Sequence, residues 1–303
     1  MQQRHLDHAR GSTTTRGPSP SVLRAYLAAM SLAAAACTVP ETGVGADTPE
    51  DAGGNNSSGG DGGAPPDDPP SNQTIARGGA LYDKWWVAAG LSAPTVDHPL
   101  WASRPDTTSN SSTGSSTWRC KECHGWDYLG VDGAYSQGSH RTGFPGILGT
   151  ALTSEQLFDV LRNDEATTPG GHGYGSVGLG DDDIEALVAF VTSGAIDVSE
   201  LYDDDRAFLG DAAAGDTLYN AGVRGAPSCA SCHGVDGLTP PPGADEDYDH
   251  FLGAVARGNP AELQHKIRFG QPGTAMPALE AFGATLEEVR DLGAHLQTLP
   301  EGP

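Results

Sequence analysis

Basic residues are scarce in this chain: 17 Lys and Arg stand against 40 Asp and Glu in 303 residues, a formal net charge of −23. A surface this negative repels phosphate backbones, which excludes a general nucleic-acid binder. Only 37% of the residues are hydrophobic and 7% aromatic, and there are three methionines. No apolar run reaches the roughly 20 residues that a membrane-spanning helix needs. No alternating strand pattern of any length occurs either. Five cysteines are too few for a disulfide-built scaffold. What abounds is Gly (42) and Pro (22), with Gly at about twice its usual share of roughly 7%, so much of the chain is loop or linker. The length predicts about two domains.

Residues 1–36 read as a secretory signal peptide. Arg4, Arg10, Arg16 and Arg24 precede an apolar run from Ala25 to Ala36 that stops at Cys37. A run that ends at a cysteine followed by a loose tether reads as a bacterial lipoprotein signal, with Cys37 as the lipid anchor. An ordinary Ala-x-Ala cleavage site is the alternative, because Ala34 stands where such anchors prefer Leu. Removing the segment takes four Arg and one Asp from the totals, leaving 13 basic and 39 acidic residues and a formal charge of −26. Residues 37–73 form an acidic Gly/Pro/Asp-rich linker with no basic residue and no apolar periodicity. Nothing there offsets the entropy of ordering, so it is expected to be a disordered tether.

The remainder repeats itself. Gly78-Gly79-Ala80-Leu81-Tyr82 returns as Gly215-Asp216-Thr217-Leu218-Tyr219, and Cys120-Lys-Glu-Cys123-His124-Gly125 as Cys229-Ala-Ser-Cys232-His233-Gly234. Each copy closes on an amphipathic helix. Ile184, Leu187, Val188 and Val191 mark the first; Leu286, Val289, Leu292 and Leu296 mark the second. Capping boxes at Thr153/Gln156 and Thr285/Glu288 start two helices, and Asn259-Pro260 starts another. The copies thus predict two small, mostly α domains, 74–198 and 205–300. From first glycine to first cysteine the first copy is 28 residues longer. That excess includes a Ser/Thr-rich stretch, Thr107 to Thr117, which reads as a surface loop; the sequon at Asn110 within it reads as chance.

Two thiols three residues apart with His directly after them form the attachment signature of c-type haem. The thiols add to the porphyrin vinyl groups and the imidazole is the proximal iron ligand. A shared zinc site would bring the CxxC pairs within about 15–20 residues of each other, whereas 105 residues separate Cys123 from Cys229. A thioredoxin-like pair needs a βαβ context that is missing, and ordinary disulfides leave each following His unexplained. Cys120, Cys123, Cys229 and Cys232 are therefore expected to bind two covalent haems, with His124 and His233 on the irons. The porphyrins would complete two cores poor in apolar side chains.

With these motifs the sequence resembles a dihaem c-type cytochrome built from tandem class I cytochrome c domains, over about residues 74–300. In that family the second iron ligand is commonly a Met in a Met-Pro loop before the last helix. Gln271-Pro272-Gly273-Thr274-Ala275-Met276-Pro277 matches that loop, and Met1 and Met30 belong to the signal, so the resemblance implies Met276 as sixth ligand of the second haem. His250 and His265 are weaker competitors. The first copy has no methionine. Aligning Ile184 with Val289 puts Gly171 opposite Met276, and the neighbouring His172 is the choice for haem 1; His140 or an open iron are the alternatives. Trp118, Trp126 and Tyr128 are expected to wall the first porphyrin, and Trp85 and Trp86 to be packing residues.

The resemblance implies electron transfer between exported redox partners, in the periplasm or at the outer membrane or cell surface, with membrane contact only through Cys37. Acidity implies partners with basic patches, steered electrostatically and weakened by salt. The alternative is a dihaem enzyme such as a peroxidase, with haem 1 as its catalytic centre. A thiolate-ligated thiosulfate dehydrogenase is disfavoured, since Cys37 is the one cysteine left over.

Overall fold

Two helix crossings, each made around one glycine, carry the fold. The computed structural model describes residues 69–105, 108–240 and 250–303; the signal segment, Cys37 and the tether as far as residue 68 lie outside the described residues. The first domain holds α1 (Asn72–Ala88), α2 (Cys120–His124), α3 (Ser154–Arg162) and α4 (Asp181–Ala189), which runs on into a π-turn, Phe190–Gly194. The second holds α5 (Ala212–Ala221), α6 (Ala230–His233), α7 (Leu252–Gly258), α8 (Pro260–Phe269) and α9 (Leu286–Leu296). Among the described residues there is no β-strand, only isolated bridges.

Local signals set the helix starts. The Ser71 hydroxyl accepts the Thr74 N–H, so α1 begins at Asn72, inside what composition assigns to the linker. Both expected capping boxes form, at Thr153/Gln156 and Thr285/Glu288. Asn259 caps α8, accepting the Glu262 N–H at 3.3 Å. Ile184, Leu187 and Val188 are buried on α4, while Val191, fourth of the expected face, falls in the π-turn.

The repeated glycine and tyrosine have a shared physical reason. α1 crosses α4 at Gly78, where a Cβ would run into the Ala186 carbonyl; α5 crosses α9 at Gly215, where it would run into the Asp291 carbonyl. One turn further on, the Tyr82 hydroxyl donates to the Gly125 carbonyl at 2.6 Å, and Tyr219 to the Gly234 carbonyl at 2.5 Å. Each N-terminal helix therefore grips both the closing helix and the residue after the CxxCH histidine. The segment between α1 and α2 departs from expectation. It is not a free surface loop, because Asn110 and Thr117 are buried. The Asn110 amide and Ser112 hydroxyl both donate to Glu122 at 2.7 Å, covering one side of α2. The sequon asparagine is thus committed inside the protein.

The second domain enters the core of the first through α8. Phe269 packs in the cluster that holds Tyr82, Tyr128 and Phe190, on Gly79, where any Cβ would strike its ring. Gln264 donates to the Tyr128 hydroxyl at 3.1 Å. Trp126 and Tyr128, expected as porphyrin walls, turn to this interface: the Trp126 ring lies 4.9 Å from that of His265, and the Tyr128 hydroxyl meets His265 Nδ1 at 2.9 Å. The reason is their position just past α2, on the side that α8 covers.

Asp83 anchors this interface. It is completely buried and pairs with Arg119 of its own domain and Lys266 of α8. Burial pushes its pKa up, but the Lys266 ammonium and the Arg119 guanidinium outweigh that and hold it down at about 2. Asp83→Asn would strand two cations, and breaking such a buried cluster costs about 3–5 kcal/mol, to be read in denaturant unfolding at pH 7. A depressed folded pKa contributes stability above the unfolded value, about 3.9, and loses it as pH falls toward the folded one. The gap between wild type and variant should therefore close between about pH 4 and about pH 2.

Candidate functional site

The first site is built on α2. Cys120 and Cys123, one turn apart, share a helix face, and neither is in a disulfide. Burial raises both thiols, Cys120 to about 11, so they are protonated at neutral pH. Gly125 ends the helix at φ 79°, a left-handed conformation that glycine adopts without strain. That turn sets His124 so that its Nδ1 lies 2.7 Å from the Pro145 carbonyl oxygen. A carbonyl only accepts, so Nδ1 carries the proton and donates. Nε2 keeps a free lone pair, the arrangement that orients a metal-binding imidazole.

His172 is brought to the same place by the loop after α3. Its N–H donates to the Val160 carbonyl and that of Gly173 to the Asn163 carbonyl, each at 2.7 Å, stitching the loop onto the helix end. Gly171 sits where a Cβ would collide with the Asp164 carbonyl, and Gly170 and Gly173 take left-handed φ of 74° and 69°. The rings of His124 and His172 stand 6.2 Å apart, inclined by 34°. Two imidazoles sharing one metal need about this separation: two bonds of about 2 Å plus the ring radii. The His172 Nδ1 is buried with no hydrogen-bond partner. Burial first, then the neighbouring His124 and His98, depress its pKa to about 3, and burial also lowers that of His124. Both rings are neutral at pH 7, as ligation requires.

Tyr174 and Trp118 line this site. The Tyr174 ring stacks 5.9 Å from that of His172, and its hydroxyl lies 3.6 Å from Cys120 Sγ. His140, the alternative partner, is not brought to His124. It is exposed and stacks on Tyr135 at 5.2 Å. His98 was missed by sequence reasoning. It is buried, its ring lies 4.3 Å from Trp118 and 5.9 Å from His172, and its Nε2 is 2.9 Å from the His172 carbonyl oxygen. A lone His-Pro in a region without repeat or periodicity carries no signal that would have revealed it.

The second site repeats the scaffold with a different loop. Cys229 is half-buried, Cys232 exposed and His233 half-buried, its pKa lowered by burial. Gly234 turns at φ 76°, as Gly125 does. Met276 is half-buried on the loop after α8. Its N–H donates to Thr274 Oγ1 at 3.2 Å. Gly270 takes φ 73°, leaving 2.7 Å between an added Cβ and the Met276 carbonyl. His265 is not free to compete, since Tyr128 and the Gly79 carbonyl occupy both its ring nitrogens. Residues 241–249, just before His250, lie outside the described residues.

Among the described residues no three His, Cys, Asp or Glu side chains gather as a site for a bare metal ion. Two facing imidazoles beside two free thiols suit instead a metal whose remaining ligands come from a covalently attached organic group. Residues 112–195 match the family model for cytochrome c, and residues 210–296 match the model described as cytochrome c oxidase, cbb3-type, subunit III. The two matches lie in tandem, one over each CxxCH. No curated protein matches the chain.

Gly171→Ala should displace the loop that carries His172, because the added methyl meets backbone that cannot yield. Overpacking of this kind costs about 1–3 kcal/mol. Thermal unfolding should show the loss, with faster amide exchange at His172 and Gly173; an unchanged exchange pattern would mean that the loop tolerates a Cβ.

Proposed function

We propose that this chain, a c-type cytochrome with two haem domains in tandem, is an electron relay whose two centres are ligated differently. Each haem supplies an iron that takes up and returns one electron. Cys120 and Cys123 would hold the first haem and Cys229 and Cys232 the second, through thioether bonds. His124, its tautomer set by the Pro145 carbonyl, and His172 would hold the iron of haem 1. His233 and Met276 would hold that of haem 2.

The observation that carries this reading is the 6.2 Å facing of His124 and His172, set against the methionine loop of the other domain. With His124 and His172 both holding the iron of haem 1, the site would need no substrate, which favours a carrier over an enzyme that must leave room for one. Thioether ligation favours reduced iron, so the domain with Met276 would sit at the higher potential. Electrons would then run from haem 1 to haem 2.

The acidic surface, with a formal charge of −26 once residues 1–36 are removed, suits partners that carry basic patches and meet it faster at low salt. Among the described residues no helix is long and apolar enough to cross a membrane. The basic-then-apolar start supports an exported protein held to a membrane through lipid on Cys37.

A spectroelectrochemical titration tests the ordering. The haem bound at Cys120 and Cys123 should be the lower-potential centre. Met276→His should bring the other down by on the order of 0.1–0.3 V, a part of the roughly 0.8 V that axial ligands command. A higher potential for the first haem would overturn the relay.

A further inference from the structure

We propose that His98 is a positioning residue for haem 1: it clamps the His172 carbonyl and so keeps the His172 ring turned toward His124. This rests on the reading of His172 as an iron ligand.

The direction of the bond is determined. Leu100 N–H points at His98 Nδ1 at 3.1 Å, so Nδ1 accepts, the proton sits on Nε2, and Nε2 donates to the His172 carbonyl at 2.9 Å. With both nitrogens used, His98 cannot itself be a ligand. Its own position is fixed from several sides. The His98 N–H donates to Thr117 Oγ1 at 2.8 Å, and the Thr117 hydroxyl donates to the Gly114 carbonyl at 2.7 Å. The Trp118 ring meets the imidazole edge-on.

The clamp matters because the ligand stands in glycine-rich backbone. His172 lies between Gly171 and Gly173, in a stretch where glycine supplies three of the four residues from 170 to 173 and where the unfolded chain has the most freedom to regain. Backbone bonds hold the loop's N–H groups, His172 to Val160, Gly173 to Asn163 and Gly171 to Thr168, but none of them engages the His172 carbonyl. Among the described residues, His98 is the side chain that holds the His172 carbonyl. It stands within the 28-residue excess that separates the first copy from the second. The extra segment thus supplies what a histidine on a glycine loop requires, whereas the second domain carries Met276 on a loop tied by its own Thr274.

The test uses the haem-loaded protein and carbon monoxide, which competes with the sixth ligand of reduced iron. In His98→Leu the first haem should bind carbon monoxide about tenfold more tightly, the loss of one buried hydrogen bond, and show a growing high-spin fraction. His98→Gln, which can still donate, should recover most of the wild-type behaviour. The second haem is the internal control and should not change. Should His98→Leu fail to load haem, Thr117→Val decides, with an increase of about threefold expected from loosening the His98 backbone. Wild-type affinity and spin state in His98→Leu, or in Thr117→Val where that variant decides, overturn the clamp. His172→Ala separates the two ideas. If it leaves the first haem unchanged, the ligand reading itself fails; if it opens the iron while His98→Leu does not, only the clamp fails.

Discussion

The rings of His124 and His172 face each other 6.2 Å apart, and much of the first domain serves to hold them there. One ring comes from a five-residue helix, the other from a glycine loop 48 positions later, and neither segment is stiff alone. Rigidity is borrowed from backbone hydrogen bonds: the Pro145 carbonyl on His124, the end of α3 on His172, and Tyr82 on the carbonyl of Gly125. Burial keeps the rings neutral, so no proton has to be displaced before a metal is bound. Small cores with few apolar side chains can afford this arrangement because an attached porphyrin would fill the space between the rings.

The second domain uses the same frame and changes the loop. Gly78 and Gly215 make equivalent helix crossings, and Tyr82 and Tyr219 make equivalent bonds to the residue after CxxCH. What differs is the segment between the first helix and the cysteines, and the loop ahead of the closing helix, which carries His172 in one domain and Met276 in the other. A covered α2 and His98 accompany His172; a shorter connection accompanies Met276. The domains are not loosely strung beads either. α8 lies inside the core of its neighbour, with Phe269 on Gly79 and Lys266 on the buried Asp83. The segment just past His124 is therefore packed against the helix that leads to Met276. Desolvation offsets much of what a buried, charge-paired seam of this kind gains, yet removing one partner alone is strongly destabilising.

What the sequence made legible was local or repeated. CxxCH, the capping boxes and the glycine–tyrosine repeat are short patterns whose meaning does not depend on distant residues, so Thr153, Thr285 and Asn259 cap where the pattern says they should. What it hid was long-range. Trp126 and Tyr128 sit beside the haem motif in the chain, yet they face α8 because the second domain covers that side. Asp83 is one polar residue in a helix until Arg119 and Lys266 arrive from elsewhere. His98 acts on a carbonyl 74 positions away, and no periodicity marks it. A Ser/Thr-rich stretch reads as surface by composition, but Asn110 and Ser112 spend their polar groups on a buried glutamate.

The central claim is that the two centres are unlike, one between two imidazoles and one between imidazole and thioether. Near-infrared magnetic circular dichroism of the fully oxidised protein reads axial ligation directly. The account predicts two low-spin ferric centres in equal amounts, one with the bis-imidazole signature and one with the imidazole–thioether signature. Two centres of a single type, or a high-spin centre in the untreated protein, would contradict it.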